Sequence, residues 1–190
     1  RASTGVRGMN LAEGDEVISM SMLRHTDATP EERQAYLKRS RAERGGEEAA
    51  QEAAAEPAAE DEAGEAVAEV QISDERYAEM KKGEEFILAV AEDGYGKLSS
   101  AYEYRITNRG GKGIENIRLA KGGGVHVVAA FPATTDDQLL LVTKQGQIIR
   151  TPVKGIRIAR RSTRGVVIFR IDDGDRVVSV SRLREDEDGG

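Results

Sequence analysis

Clusters of Lys and Arg beside glycines are the part of this sequence best suited to chemistry. The segment Thr107-Asn-Arg-Gly-Gly-Lys-Gly113 holds two cations and three glycines, and Arg157-Ile-Ala-Arg-Arg-Ser-Thr-Arg164 holds four arginines. Glycine lets the backbone approach a partner closely, and Lys and Arg neutralise phosphates. Both segments therefore indicate phosphate contact, although a glycine-rich turn with incidental charges explains the composition of the first equally well.

Other reactive chemistry finds little support. Neither Gly96-Lys97 nor Gly111-Lys112 is followed by Ser or Thr, so a nucleotide-binding P-loop is not predicted. The chain has no Cys, and His25 and His126 are far apart, which argues against thiol catalysis and a zinc site. We therefore expect no catalytic, metal-binding or cofactor-binding residue in this chain.

The net charge of −6 conceals a basic body. Residues 43–69 carry ten acidic side chains and one Arg, whereas residues 97–170 carry 14 Lys or Arg and four acidic side chains. Charge must be counted by segment before it indicates a partner. The basic body favours double-stranded DNA, since few aromatic residues are available for stacking on single strands.

Apolar patterning predicts neither a membrane span nor a leader. No apolar run approaches the ~18 residues that a membrane-spanning helix needs. The first residues, Arg-Ala-Ser-Thr-Gly-Val-Arg-Gly, lack the apolar core of a signal peptide. Together with the absence of Cys, this predicts a cytoplasmic protein that does not associate with membranes.

Short β-rich runs punctuated by glycine recur along the chain. Leu88-Ala-Val90 followed by Glu92-Asp-Gly94 matches Leu140-Leu-Val142 followed by Lys144-Gln-Gly146, at an offset of 52. The same offset carries Arg105 onto Arg157. A third, partial copy occupies residues 3–20 and matches residues 163–180. Units of about 50 residues with short strands favour a radial β array over a helical solenoid.

The predicted fold is therefore all-β, a propeller-like repeat array of four-stranded blades with a helical or disordered acidic insertion. The predicted divisions are the end of a partial blade (1–25), a charged Ala/Glu-rich insertion (26–82), two complete blades (83–133 and 134–184) and an acidic tail (185–190). Short helices are expected at 26–42 and 71–82. The middle of the insertion is expected to be disordered, because it has too little apolar surface to offset its ordering entropy.

Cations that recur at matching places in successive units would form a stripe along the rim of such an array. That recurrence favours contact with the DNA backbone over simple solvation of the surface. The candidate DNA-binding residues are Arg7, Lys97, Arg105, Arg109, Lys112, Arg150, Lys154, Arg157, Arg160, Arg161 and Arg164.

Several of these motifs resemble a known family. Thr4-Gly-Val-Arg-Gly-Met-Asn-Leu11 with Gly14-Asp-Glu-Val-Ile18, and Glu92-Asp-Gly-Tyr-Gly-Lys97 with Glu103-Tyr104, are similar to the repeat motif of the C-terminal domain of bacterial DNA gyrase A subunits. The resemblance covers nearly everything outside 26–82. Two alternatives remain: the more degenerate C-terminal domain of topoisomerase IV A subunits, and a protein-binding propeller whose charges only keep it soluble.

The resemblance implies the last blades of a six-bladed β-pinwheel that wraps DNA around a basic rim. It also implies a place in an ATP-dependent type II topoisomerase that introduces negative supercoils. The implied partners are two B subunits and a second A subunit (A2B2), with ATP, Mg²⁺ and the DNA-cleaving Tyr on other parts of the assembly.

The family's hallmark box, Gln-Arg-Arg-Gly-Gly-Lys-Gly, is matched at its last five positions by Arg109–Gly113, with Thr107-Asn108 in place of Gln-Arg. The box usually lies in the first blade, whereas this copy precedes one further complete unit. We therefore expect residues 107–113 to be a later-blade relative of the box, with the true box upstream.

Overall fold

The computed structural model describes residues 3–45, 70–120 and 122–183. The chain divides into two compact units, each described separately below. The sheet unit comprises Arg1–Leu23 and Glu85–Gly190, and the helical unit comprises Arg24–Glu84.

The first sheet is built on the hairpin of β1 (Phe86–Ala91) and β2 (Tyr95–Ser100), in which Leu88 lies opposite Leu98. Strand β3 (Val127–Ala133) pairs with the other edge of β1, and a short 3₁₀ helix, Ala101–Glu103, follows β2. Most residues of β1 and β2 are buried, which suits the continuous apolar run in β1.

The second sheet repeats this arrangement. Strand β4 (Gln138–Thr143) pairs with β5 (Ile148–Pro152) and with β7 (Val177–Leu183), all antiparallel. Burial alternates along β4, as its Leu139 and Leu141 predict for a strand with one buried face. A register shift follows Val90 in β1 and Val142 in β4, so the 52-residue repeat found in the sequence is confirmed down to its irregularities.

The first sheet is not built from one contiguous segment of the chain. The predicted division into blades at 83–133 and 134–184 stays a prediction. Strand β6 (Val166–Val167), which belongs to the second repeat, pairs with β2 of the first repeat. The described strand order is β3-β1-β2-β6 in the first sheet and β5-β4-β7 in the second. The four strands of the first sheet therefore come from two repeats. Backbone groups of the next repeat pair with an edge of β2 that would otherwise lack a neighbouring strand.

One core joins the two sheets. The described buried apolar side chains that pack together come from both repeats: Leu88, Val90, Leu98, Ala133, Leu139, Leu141, Val153, Phe169 and Val177. Phe169 reaches this core directly after the exchanged strand. Burial of these side chains stabilises the junction between repeats as well as each sheet, at about 25 cal/mol per Å² of apolar surface removed from water.

The helical unit contains α1 (Pro30–Arg44) and α2 (Asp74–Gly83). Helix α1 begins with a capping box, in which the Thr29 side chain accepts from the Glu32 N–H and the Glu32 carboxylate accepts from the Thr29 N–H. Both helices predicted, at 26–42 and 71–82, are therefore present, and they span Pro30–Arg44 and Asp74–Gly83. The predicted disorder of the intervening segment falls on residues 46–69, which lie outside the described residues.

The two helices bury more than the charged sequence indicates. The Tyr36 and Tyr77 rings lie 5.1 Å apart between their centroids, and both rings are buried with Met80. Charges close around them: Arg39 pairs with Asp74 at 2.8 Å, and Lys81 pairs with Glu43 at 3.0 Å. Sequence patterning predicted both helices but missed their packing, because the charged side chains that pair here were counted as solvated ones.

Candidate nucleic-acid interface

The glycine-rich cation segment lies against the partial first repeat. The Gly110 N–H donates to the Gly8 carbonyl at 2.9 Å, and the Asn10 N–H donates to the Gly111 carbonyl at 2.9 Å. Gly110 adopts a φ of 80°, a conformation that favours glycine at this close approach. These bonds hold together the two segments that carry the exposed side chains of Arg7, Arg109 and Lys112.

The second cation segment, Arg157–Arg164, is called the cation loop. Its first half is bonded to β2, where the Leu98 N–H donates to the Arg157 carbonyl at 3.0 Å and the Ala159 N–H donates to the Leu98 carbonyl at 2.8 Å. The Ser99 hydroxyl also donates to the Ala159 carbonyl at 3.0 Å. Strand β2 of one repeat therefore holds the arginines of the next.

Further hydrogen bonds join the cation loop to the segment that follows Lys112. The Arg118 N–H donates to the Thr163 carbonyl at 3.0 Å, and the Arg161 guanidinium donates to the Glu115 carbonyl at 2.9 Å. The Arg161 N–H donates to the Glu103 carboxylate at 2.8 Å. Equivalent segments of three successive repeats thus form one connected series, as the phase of the cations predicts.

Tyr104 supports the same series from within the sheet unit. Its hydroxyl contacts the side-chain oxygen of Asn116, and burial raises the pKa of this phenol to about 12. The phenol therefore stays protonated at neutral pH and donates to Asn116. This bond joins residues on the two sides of the exposed Arg105–Gly113 segment.

The cations of the three connected segments are called the basic strip. Those of the first two segments are exposed, and those of the cation loop are partly buried by their own backbone contacts. The strip comprises Arg7, Arg105, Arg109, Lys112, Arg157, Arg160 and Arg161. Such a series of side chains can contact phosphates without reading base sequence.

Lys97, a member of the predicted set, lies in the interior of the sheet unit. Its side chain is fully buried on β2, and its ammonium donates to the carbonyls of Arg160 and Arg161. A phosphate outside the protein cannot reach an ammonium in that position. The sequence placed Lys97 among the DNA contacts because it begins a highly basic region, but charge alone does not reveal which way a strand residue faces.

Arg164 is also occupied within the protein. Its guanidinium pairs with the Asp93 carboxylate at 2.8 Å and lies 3.6 Å from the centroid of the Tyr95 ring. Both contacts tie the start of β6 to the turn between β1 and β2. The geometry therefore makes Arg164 a clamp between repeats and removes it from the basic strip.

Arg150 and Lys154 are exposed, but they lie elsewhere on the sheet unit. Arg150 is on β5, where its Nε donates to the Gln138 side chain at 2.5 Å, and Lys154 is in the turn that follows β5. Arg150 belongs to the second sheet, and Lys154 follows its edge strand. They remain candidate phosphate contacts outside the basic strip.

Two further cations share the repeat phase but were missed. Arg118 and Arg170 are separated by the same offset of 52 that relates Arg105 to Arg157. Arg170 is exposed, and Arg118 is partly exposed with Glu115 at 3.9 Å. Applying the offset to every cation, and not only to the two densest clusters, would have found this pair.

The Gly174-Asp175 motif lies in a turn, in which the Asp175 N–H donates to the Asp172 carbonyl at 3.0 Å. The buried Asp175 carboxylate accepts from the N–H groups of Gln145 at 3.1 Å and Arg176 at 2.8 Å. Burial raises the pKa of Asp175, but hydrogen bonds from Thr143 and from neighbouring N–H groups outweigh it and hold the pKa below its usual value. This carboxylate therefore stabilises the β4–β5 turn in its charged form.

Within residues 3–45, 70–120 and 122–183, no cluster of three or more His, Cys, Asp or Glu side chains is arranged to hold a metal ion. Across the same residues, neither helix has the length and apolar character needed to span a membrane.

Comparison with known proteins matches this chain to a protein family described as the DNA gyrase C-terminal domain, beta-propeller. The match covers residues 1–24, 85–134 and 137–184, so it breaks where the helical unit lies. The observed antiparallel sheets agree with that description, and the predicted propeller-like fold is confirmed.

The chain is similar to the A subunit of DNA gyrase from Granulibacter bethesdensis, with 48% identity over 188 residues, and from Rickettsia bellii, with 46% identity over 193 residues. These matches cover 98% and 99% of this chain but 20% of each relative. The helical unit is therefore inside the matched region of both relatives.

A solved structure titled "Structure of DNA gyrase A C-terminal domain" matches with a TM-score of 0.47 and 31% identity, over 52% of this chain and 33% of that one. The family match covers most of the sheet unit. The chain belongs to the DNA gyrase C-terminal domain, beta-propeller family.

Proposed function

We propose that this chain is the DNA-wrapping part of the A subunit of a DNA gyrase and binds double-stranded DNA through the basic strip. The observation that carries the proposal is the connected series of three cation-bearing segments. The names of the relatives support the assignment to gyrase. The basic body supports contact with a polyanion.

In this mechanism, Lys and Arg side chains of the strip neutralise phosphates and release condensed counterions. Phosphate contacts on successive repeats favour a duplex that bends along the array, at a smooth elastic cost of about 1–6 kcal/mol for a short site. Because the contacts are to phosphates, the strip positions DNA without selecting a base sequence.

The proposal extends to the assembly. This chain supplies the DNA-wrapping surface, while two B subunits and a second A subunit complete an ATP-dependent enzyme that introduces negative supercoils. ATP, Mg²⁺ and the DNA-cleaving Tyr are on other parts of that assembly. Wrapping of the duplex would support the introduction of negative supercoils by that assembly.

Salt dependence of duplex binding by the full chain tests the proposal. The logarithm of the binding constant should fall steeply with the logarithm of salt concentration. Arg109→Ala and Lys112→Ala should each weaken binding to all sequences and reduce the salt slope by about one. Lys82→Ala, which removes an exposed cation of α2, is the matched control and should leave the slope unchanged.

Two outcomes would point elsewhere. Absence of duplex binding at low salt, with the fold intact, would overturn the proposal in favour of a protein-binding propeller. An assembled enzyme that removes supercoils but never introduces them would instead favour the topoisomerase IV alternative.

A further inference from the structure

The buried ammonium of Lys97 has a hydrogen-bond arrangement that the proposed DNA contacts leave unexplained. The side chain is 0% exposed, and three oxygens surround its Nζ: the Arg160 carbonyl, the Arg161 carbonyl and, at 3.4 Å, the Thr163 hydroxyl. An ammonium group has three N–H donors. The cation loop therefore supplies acceptors for this ammonium group.

Burying a cation costs free energy unless hydrogen bonds compensate for the lost water. These three oxygens all come from the turn that presents Arg160 and Arg161. The arrangement exists only when that turn has its observed shape. The burial of Lys97 and the conformation of the turn are therefore coupled.

Thr163 reinforces the same turn. Its N–H and its hydroxyl both donate to the Arg160 carbonyl, at 3.1 and 2.8 Å. Loss of the Lys97 ammonium would remove a charged donor from two successive carbonyls, and the Thr163 bonds can satisfy only the first of them. Lys97 therefore contacts a carbonyl, that of Arg161, which the Thr163 bonds do not reach.

The next repeat has no equivalent of this lysine. At the 52-residue offset, the position of Lys97 is occupied by Ile149 on β5, which has no donor in its side chain. Lys97 is therefore not a general requirement of the strand. It coincides with the loop that holds four arginines in eight residues.

We propose that Lys97 is a positioning residue for DNA binding, which holds Arg160 and Arg161 of the cation loop in place from inside the protein. This inference rests on the proposed binding of duplex DNA by the basic strip. Lys97 acts through these arginines and makes no contact with DNA itself.

A double-mutant cycle on the full chain tests the proposal, with duplex affinity at fixed salt as the measurement. Arg160→Ala/Arg161→Ala should weaken binding several-fold when Lys97 is present. In a Lys97→Met background, the same pair of substitutions should weaken binding by less than about twofold. A change of about twofold is the tolerance within which the effects of independent substitutions normally add. Full additivity would overturn the proposal, because it would mean that Lys97 acts independently of the two arginines.

A charge-neutral variant covers the case in which Lys97→Met does not fold. Thr163→Val removes the third acceptor and the hydroxyl bond to Arg160 without changing any charge. It should weaken duplex binding and raise trypsin cleavage after Arg160 and Arg161. A drop in melting temperature with unchanged duplex affinity would show a purely structural role and overturn the proposal.

The matched control is Lys154→Met, which removes an exposed Lys and should be additive with Arg160→Ala/Arg161→Ala. If the unmodified chain shows no salt-dependent duplex binding, the proposed function fails. If it binds and only the coupling is absent, the inference about Lys97 alone fails.

Discussion

Residue type and residue role diverge most clearly among the cations. Lys97 and Arg109 are both basic residues beside glycine, yet one is fully buried and the other exposed. Burial decides the difference, since a buried ammonium must be satisfied by protein oxygens. The same reasoning applies to a buried acidic residue such as Asp175, whose carboxylate accepts hydrogen bonds from backbone N–H groups.

Asp175→Asn should make the sheet unit less stable at neutral pH, with a difference from the parent that shrinks in acid. The folded pKa of this carboxylate is lowered, so its stabilising effect is present above the usual value near 3.8 and is lost as pH falls through the folded pKa. Melting temperatures between pH 7 and 3 measure this. Asp173→Asn, at an exposed site in the turn just before Asp175, should change the melting temperature little.

A stability difference between Asp175→Asn and the parent that stayed constant down to pH 3 would contradict this role of the charged form. It would instead indicate that the substitution destabilises the sheet unit through an effect unrelated to the charge of Asp175.

At the scale of elements, the main feature is the exchange of β6, a strand of the second repeat that pairs with β2 of the first. The exchanged strand lies against β2 at Gly96, where a side chain would come within 2.5 Å of the Ile168 Cδ1 atom. Gly94 and Gly165 close the same seam, each within 2.3 Å of a carbonyl oxygen if a Cβ were present. Glycine is needed here because backbone packs on backbone.

Gly165→Ala should destabilise the sheet unit by about 1–3 kcal/mol more than Gly174→Ala, the usual cost of overpacking. Both glycines have positive φ, 84° and 81°, so the conformational penalty is shared. Only at Gly165 would the new Cβ meet backbone, at 2.3 Å from the Gly96 oxygen, whereas nothing lies within 4 Å at Gly174. Chemical denaturation measures the difference; equal losses would show that the seam tolerates the methyl group.

At the scale of the whole molecule, charge is divided sharply along the chain. Residues 46–69 carry nine acidic side chains and no basic one, and they are tethered to a protein whose basic strip we propose to bind DNA. A tethered polyanion competes with DNA for cations by electrostatic attraction. This segment is distinct from Glu43, which is engaged with Tyr77 and Lys81.

Replacing the nine acidic residues of 46–69 by Gln or Asn should therefore tighten duplex binding at low salt. The gain should disappear at high salt, because the screening length falls from about 10 Å at 0.1 M to about 3 Å at 1 M. A shuffled segment of unchanged composition is the control and should bind DNA like the parent. Unchanged affinity of the neutral variant at low salt would remove competition as a role for this segment.

The sequence by itself determined the repeat, its 52-residue offset, the all-β character of the repeats and the positions of both helices. These properties follow from local patterns, which are short β-rich runs, glycines between them and charged segments rich in Ala and Glu. The phase of the cations also predicted that Arg109 and the cation loop would belong to one series, because equivalent residues of stacked repeats occupy equivalent places.

Only the tertiary structure decided which cations remain available to a partner. Lys97 faces the interior, Arg164 clamps two repeats, and β6 completes a sheet of the preceding repeat. The compact core of the helical unit, with Tyr36 against Tyr77, was equally hidden from the sequence. These outcomes depend on contacts between residues distant in the chain, whose burial and hydrogen bonding no local pattern records.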